Sequence, residues 1–264
     1  MDLELKGKTV FITGSTAGIG FATAKALLSE GASVILNGRT SASVEVAIKR
    51  LDQAFPDEII SGIAADFSLQ NEVNSLLENL PKIDVLINNV GVYSSGSFFE
   101  TDDAEWYRQF EVNVMSGVRL SKSILPRMLA NNWGRILFIS SECASLTPPD
   151  LIAYSMTKAA ILAVSRGLAQ LTKGTNVTVN SVIPGSTLSE GAEQFLEDAA
   201  QKEQKTKDEI ENVFFTEVRT SSLLQRFAKV EEVADTIAYI ASSRSSATNG
   251  AAIKVDGGSS GGLF

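Results

Sequence analysis

The chain of 264 residues contains no histidine. That absence excludes histidine-based catalytic triads and the usual zinc sites, leaving Tyr, Lys, Ser, Asp and Glu as acid/base candidates. A single cysteine rules out an internal disulfide framework and fits a reducing compartment, so the expected location is cytoplasmic. Positive charge is scarce: 23 Lys and Arg face 31 Asp and Glu, a net charge of −8. That balance argues against nucleic acid or an anionic membrane as the main partner. No run of about eighteen apolar residues is present to suggest a membrane span. The opening MDLELKGK does not read as a signal peptide.

What is present is enough for a large core. With 44% hydrophobic and 20% charged residues, the composition is that of a globular α/β chain, expected to form one domain. Strand and helix signals alternate from end to end. Residues 9–13 (TVFIT), 33–36 (SVIL), 59–64, 83–87 (IDVLI), 135–140 (RILFIS), 176–183 (NVTVNSVI) and 251–255 (AAIKV) read as strands. Helical patterns cover 21–28, 44–54, 72–80, 103–131, the stretch from 152 to about 171, and 230–241. Such alternation predicts a doubly wound, Rossmann-type parallel sheet of about seven strands with helices on both faces.

Chemistry concentrates around residues 134–171. Ser141 follows a strand, and Tyr154 and Lys158 stand four apart at the start of the next helix, so phenol and ammonium share one face. A free tyrosine titrates near 10 and is a poor proton carrier at neutral pH. Lowering it by roughly three units takes about 4 kcal/mol, which one ammonium about 4 Å away supplies at an effective dielectric near 20. Lys158 is therefore a candidate tuner of Tyr154, and the Ser141 hydroxyl a candidate holder for a carbonyl or alkoxide oxygen. Taken alone, a Tyr-x-x-x-Lys pair is more often a solvated helix face than a site.

Its company changes that balance. Gly14, Gly18 and Gly20 form G-x-x-x-G-x-G between the first strand and first helix, where backbone N–H groups and a helix N-terminus can meet a pyrophosphate. Nineteen residues beyond Gly20, at the end of the second strand, stands Arg39 after Gly38. An acid there would read the ribose hydroxyl of NAD; a glycine followed by an arginine suits the 2′-phosphate of NADP.

Thr13-Gly14-x-x-x-Gly18-Ile19-Gly20, Asn88-Asn89-x-Gly91, Ser141 and Tyr154-x-x-x-Lys158, in this order and spacing, resemble the classical short-chain dehydrogenase/reductases over nearly the whole chain. The resemblance implies hydride transfer between NAD(P) and a small-molecule carbonyl or alcohol. Carried over, it makes Tyr154 the general acid/base, Lys158 its tuner and a ribose ligand, and Ser141 the anchor of the substrate oxygen. Asn113 takes the place of the family asparagine that kinks the long helix and holds a relay water. Cofactor contacts fall on Gly14, Ser15, Thr16, Gly18, Ile19, Gly20, Arg39, Asp66, Phe67, Asn89, Val90, Gly91, Tyr154, Lys158, Pro184, Gly185, Thr187 and Ser189, with Asp66 on adenine. Val90 replaces the usual alanine, and Ala17 stands where some NADP-using members carry a basic residue, so the preference for NADP over NAD rests on Arg39. No metal is expected.

Residues 189–220 mix charges with Phe195, Leu196, Val213, Phe214, Phe215 and Val218; they read as a solvated helical pair and, by position after Pro184-Gly185, as a substrate lid. Cys143 is expected to be inert and partly buried. By analogy with the family, apolar faces near 103–131 and 152–173 predict a homotetramer or homodimer. An epimerase-type reaction on the same scaffold and a non-catalytic NADP-binding sensor are the competing functions. The full set of Asn113, Ser141, Tyr154 and Lys158 argues against the sensor.

Overall fold

Seven short segments rich in branched residues pair into one parallel sheet in a computed structural model that describes residues 1–262. They are β1 (Thr9–Ile12), β2 (Ser33–Gly38), β3 (Ile60–Ala64), β4 (Val85–Asn88), β5 (Gly134–Ile139), β6 (Val177–Pro184) and, last in the chain, β9 (Ala252–Val255), in the order β3-β2-β1-β4-β5-β6-β9. The order reverses between β1 and β4, so the connections leaving these two strands diverge and leave a crevice at their C-terminal ends.

Alternation along the strands divides the core. Val10 and Ile12 face one side, with Leu27 and Leu28 of α1 (Gly18–Ser29) and Val233 and Ile237 of α10 (Val230–Ala241). Phe11 and Leu86 face the other, with Leu120 and Ile124 of α5 (Ser116–Ala130) and Ile161 of α7 (Ile152–Leu171). The remaining sheet helices are α2 (Ser41–Ala54), capped by Thr40 accepting the Ser43 N–H at 3.2 Å, and α3 (Gln70–Asn79).

Two regions depart from the periodicity reading. The single helix expected over 103–131 is α4 (Asp103–Phe110), a π-helical turn (Glu111–Met115) and then α5. Apolar spacing gives no break there, although the family resemblance places a kink at Asn113, which lies in this turn. The expected loop after β5 contains a short helix, α6 (Cys143–Leu146).

The segment 189–220 is a helical insert: α8 (Glu190–Glu203), α9 (Lys207–Val213) and a second π turn (Phe214–Val218). Its root is closed by β7 (Thr187–Leu188) pairing in parallel with β8 (Ala228–Lys229). Leu196, Ala200, Ile210, Phe215 and Phe227 form a cluster separate from the two sheet-face cores. Phe214 stacks on Phe227 with ring centroids 5.0 Å apart, and Phe215 meets both rings edge-on. Among the described residues no helix is long and apolar enough to cross a membrane.

A cluster of its own lets the insert open without the sheet. Phe215→Ala removes its central ring, a loss of about 3–5 kcal/mol in a buried site. Amide exchange across 190–218 should then accelerate by orders of magnitude while β1, β4 and β5 keep their protection. Uniform acceleration of insert and strands would show a single cooperative unit instead.

Candidate active site

The turn after β1 is built against the end of β4. Thr13 Oγ1 accepts the N–H groups of Asn89 and Val90, both at 2.9 Å, and Asn89 Nδ2 donates to the carbonyls of Thr13 (2.9 Å) and Gly14 (2.8 Å). Gly18 opens α1 at φ +57°, in the left-handed region that favours glycine. A Cβ on Gly20 would lie 2.5 Å from the Gly14 carbonyl oxygen and 2.6 Å from Asn89 Nδ2, so only glycine lets helix and turn approach this closely.

The floor beside this turn comes from β2. Asn37 Oδ1 accepts the Gly14 N–H at 3.0 Å, and its amide nitrogen donates to the Ile63 carbonyl at 3.1 Å. Ser15 turns inward, its hydroxyl donating to the Ile12 carbonyl at 2.8 Å, whereas Thr16 faces the cleft. Arg39 stands at the cleft's far end with Asp66 and Phe67. Burial would raise the Asp66 carboxyl; hydrogen bonds from the Ser68 hydroxyl (2.7 Å) and amide (2.9 Å), with Arg39 nearby, bring it below the ordinary value. A Cβ on Gly38 would meet the Thr16 methyl at 2.6 Å, so an acid at 38 would have to displace that side chain.

The resulting cleft has a volume of about 470 Å³ and runs from Arg39 past Gly14 to Gly91 and Val92. Arg39 also borders a second hollow of about 530 Å³, shared with Thr40, Ser41 and Glu72. A residue outside the motifs, Arg108, lines the first cleft; Glu105 grips its guanidinium at 2.6 and 2.7 Å.

Beside Gly91 lie the residues expected to carry acid/base chemistry. Asn113, in the first π turn, accepts the Val92 N–H at 2.7 Å and donates to the Val92 carbonyl and Thr157 Oγ1, both at 2.9 Å. It thereby pins the chain after Gly91 to α7. A Cβ on Gly91 would come within 3.2 Å of Lys158 Nζ. Tyr154 lies beside Tyr93, ring centroids 5.8 Å apart, with Ser141 acting on its phenol. Cys143 is buried, its amide donating to Ser141 Oγ at 3.2 Å; burial pushes its thiol up, as expected of an inert cysteine.

One expectation is not met by these contacts. Lys158 Nζ donates to the Ile139 carbonyl at 2.9 Å and sits 5.5 Å from the Tyr154 ring centroid. Burial pushes the Tyr154 phenol up rather than down, with Cys143 adding to the rise and the Ser141 hydrogen bond opposing it. Burial also lowers the Lys158 ammonium to about 8. Desolvation, which no residue spacing reveals, outweighs the ammonium here.

Pro184 ends β6 alongside β9, the Gly185 N–H donates to the Val255 carbonyl at 3.1 Å, and the Thr187 hydroxyl donates to the Gly185 carbonyl at 2.9 Å. Ser189 caps α8 by accepting the Ala192 N–H at 3.4 Å, and its Cβ would lie 3.5 Å from one on Gly18. Next to it, Glu190 Oε2 accepts the Gly18 N–H at 2.7 Å. The N-terminus of α1 thus already holds an anionic group, and with the space before Gly91 the cradle fits a dinucleotide pyrophosphate and its neighbouring ribose. Ile19 packs into the core below. Among the described residues no group of acids and cysteine could hold a metal ion.

Comparison with known proteins finds matches over nearly the whole chain. The family model described as short chain dehydrogenase matches residues 8–200. An uncharacterized oxidoreductase, YvrD, of Bacillus subtilis (strain 168) is 48% identical over 98% of both chains. L-Sorbose reductase from Gluconobacter frateurii, solved with NADPH and L-sorbose, is 29% identical over 100% of both chains and superposes with a TM-score of 0.92. A 3-oxoacyl (acyl-carrier-protein) reductase from Agrobacterium tumefaciens C58 with NADP bound is 28% identical, covers 97% of this chain and 96% of its own, and gives 0.86.

Glu105 ties Ser94 (2.6 Å), Arg108 and Gln109 (2.8 Å) into one network beside the cleft, and Arg108 above all holds its carboxyl at about 2 against the ordinary 4.5. A depressed acid stabilises the fold fully above its unfolded value and loses that contribution as pH falls towards the folded one. Urea midpoints should therefore drop between pH 4.5 and 2, less steeply in Glu105→Gln. Parallel profiles for the two proteins would remove Glu105 from the acid response.

Proposed function

The chain belongs to the short-chain dehydrogenase family, and from that premise we propose that it is an NADPH-dependent reductase of small polar ketones or aldehydes. The observation that carries the reading is the placement of Lys158 and Asn113 beside Gly91, with Tyr154 next to Lys158 and Ser141, adjoining a cleft that Arg39 lines.

When bound, NADPH supplies the hydride at nicotinamide C4. The protein's part is protonic and geometric. A phenol whose acidity is suppressed by burial keeps its proton at neutral pH, which suits a donor to a carbonyl oxygen gaining negative charge. Ser141, its oxygen already accepting from Cys143, presents its own proton towards the phenol and substrate oxygens. Once Tyr154 has given up its proton, Lys158 is the cation next to the phenolate, held by Ile139. Asn113 fixes Val92 against α7 and so keeps the site's wall in register.

Arg39 supports the choice of NADP. Its planar fork can meet a 2′-phosphate at the end of β2, with Thr40 and Ser41 beside it. The two relatives solved with NADPH or NADP act, by their names, on a ketose and on 3-oxoacyl thioesters. Polyhydroxy ketones and 3-oxoacyl thioesters are therefore the first compounds to test. The insert 189–220 serves as the lid, since Glu190 and Ser189 at its start touch the glycine turn. Exposed Phe98, Phe99, Tyr107 and Phe110 around α4 suit a face shared with a second copy of the chain, and sedimentation showing only a single-chain species would contradict that assembly.

The test is steady-state NADPH oxidation with those ketones. Tyr154→Phe should lower kcat by about 10²–10⁴-fold with little change in NADPH affinity, because the phenol acts on the substrate oxygen. Lys158→Ala should damage both. Equal loss of NADPH binding in the two variants would contradict this division. Arg39→Ala should raise the KM for NADPH by about 10- to 150-fold, the worth of a charge-assisted hydrogen bond, and barely alter that for NADH. A wild-type protein preferring NADH would leave Arg39 without the role assigned to it.

A further inference from the structure

The helix that opens onto the glycine turn has no cap from its own segment. Its N-cap is Ala17, which carries no side-chain acceptor, and its first turn holds no acid. Such a start leaves the first backbone N–H groups without partners and the positive helix end uncompensated. The side chain that meets this end comes from 172 residues further along, where Glu190 Oε2 accepts the Gly18 N–H at 2.7 Å. Glu190 is itself the first residue of α8, capped by Ser189, so its carboxylate lies between two helix N-termini. It is exposed, and no lysine or arginine among the described residues forms an ion pair with it.

The insert is held differently at its two ends. Its far end is fastened in a buried ion pair, Arg219 Nε donating to Glu142 Oε1 at 2.9 Å with Glu142 3% exposed. The near end reaches α1 through Glu190, within reach of solvent. That is the end able to let go.

We propose that Glu190 is an internal competitor for the pyrophosphate site, a latch that a dinucleotide displaces from the Gly18 N–H as it seats. An oxygen at 2.7 Å fills the approach to that N–H, and a second anion at the same helix end is repelled. The inference rests on the reading of the glycine turn as the dinucleotide cradle. Latch and cofactor are reciprocal: the dinucleotide frees the first turn of α8, and the seated latch weakens the dinucleotide by the same factor. Cofactor arrival thereby releases the insert at its near end, and the return of Glu190 helps spent cofactor to leave.

An acid in the first turn of α8 would stabilise that helix wherever its carboxylate pointed. Glu193, in the same turn and also exposed, separates that role from the latch. Glu190→Gln removes the competing charge, so NADPH and NADP⁺ should each bind about 3- to 10-fold more tightly. Glu190→Ala, which removes the acceptor as well, should tighten both at least as much. Glu193→Gln removes an equal charge without touching Gly18 and should change either affinity by less than about twofold. Adenosine 2′-monophosphate, which has no pyrophosphate, should bind wild type and all three variants alike. Dissociation constants come from NADPH fluorescence, and from calorimetry for NADP⁺ and the nucleotide, at fixed salt and without any ketone. The outcome is therefore independent of turnover, on which the kinetics of Tyr154→Phe decide. Unchanged or weaker NADPH binding in Glu190→Gln would overturn the latch. Equal tightening in Glu193→Gln, or of adenosine 2′-monophosphate in Glu190→Gln, would assign the effect to net charge and overturn it too. No NADPH binding to any of these proteins would overturn the cradle itself, and the latch with it.

Discussion

Four hydrogen bonds join the end of β1 to the end of β4, and the site depends on them. The Thr13 N–H also donates to the Ile87 carbonyl at 3.0 Å, continuing the pairing of the two strands. Thr13 and Asn89 bridge the two strand ends with side chains and leave the crevice open above. Gly20 can then press against Gly14, and α1 points its N-terminus into the opening. Because the stitch lies under the glycine turn on one side and the Gly91 segment on the other, it sets the spacing between cofactor cradle and acid/base group together.

The chemistry at Tyr154 is a contest between desolvation and charge. Burial suppresses the phenol's acidity, and the Ser141 hydroxyl opposes that effect. Lys158 pays a related cost, losing basicity while it binds the Ile139 carbonyl.

Much of this was legible in the sequence because it is local. The glycine turn, the Asn88-Asn89-x-Gly91 segment and the Tyr154 and Lys158 spacing each lie within one strand-to-helix unit, where residue type dictates backbone shape. The seven sheet strands were legible for the same reason. What escaped is non-local or additive. Arg219 lies 77 residues from Glu142, and Glu190 lies 172 residues from Gly18, so no window contains either contact. Asn37 looks like an ordinary polar residue at a strand end, although its side chain holds Gly14 and Ile63 together. The π turn at 111–115 left no mark in the apolar spacing, and only the family resemblance, through Asn113, placed a kink there. Burial of Tyr154 sums contributions from several elements, and spacing arguments count only the nearest charge.

The central claim is that a hydride passes from the cofactor in this cleft to a carbonyl carbon held by Ser141 and Tyr154. Its most direct test is turnover with NADPH carrying deuterium at nicotinamide C4, using polyhydroxy ketones and 3-oxoacyl thioesters, followed by mass analysis of the alcohol. The account predicts one deuterium on the new carbinol carbon, from one face of the nicotinamide only, and none when Tyr154→Phe replaces the wild type under the same conditions. NADPH that binds the cleft but keeps its label with every ketone, or an alcohol whose new hydrogen comes from water, would contradict it.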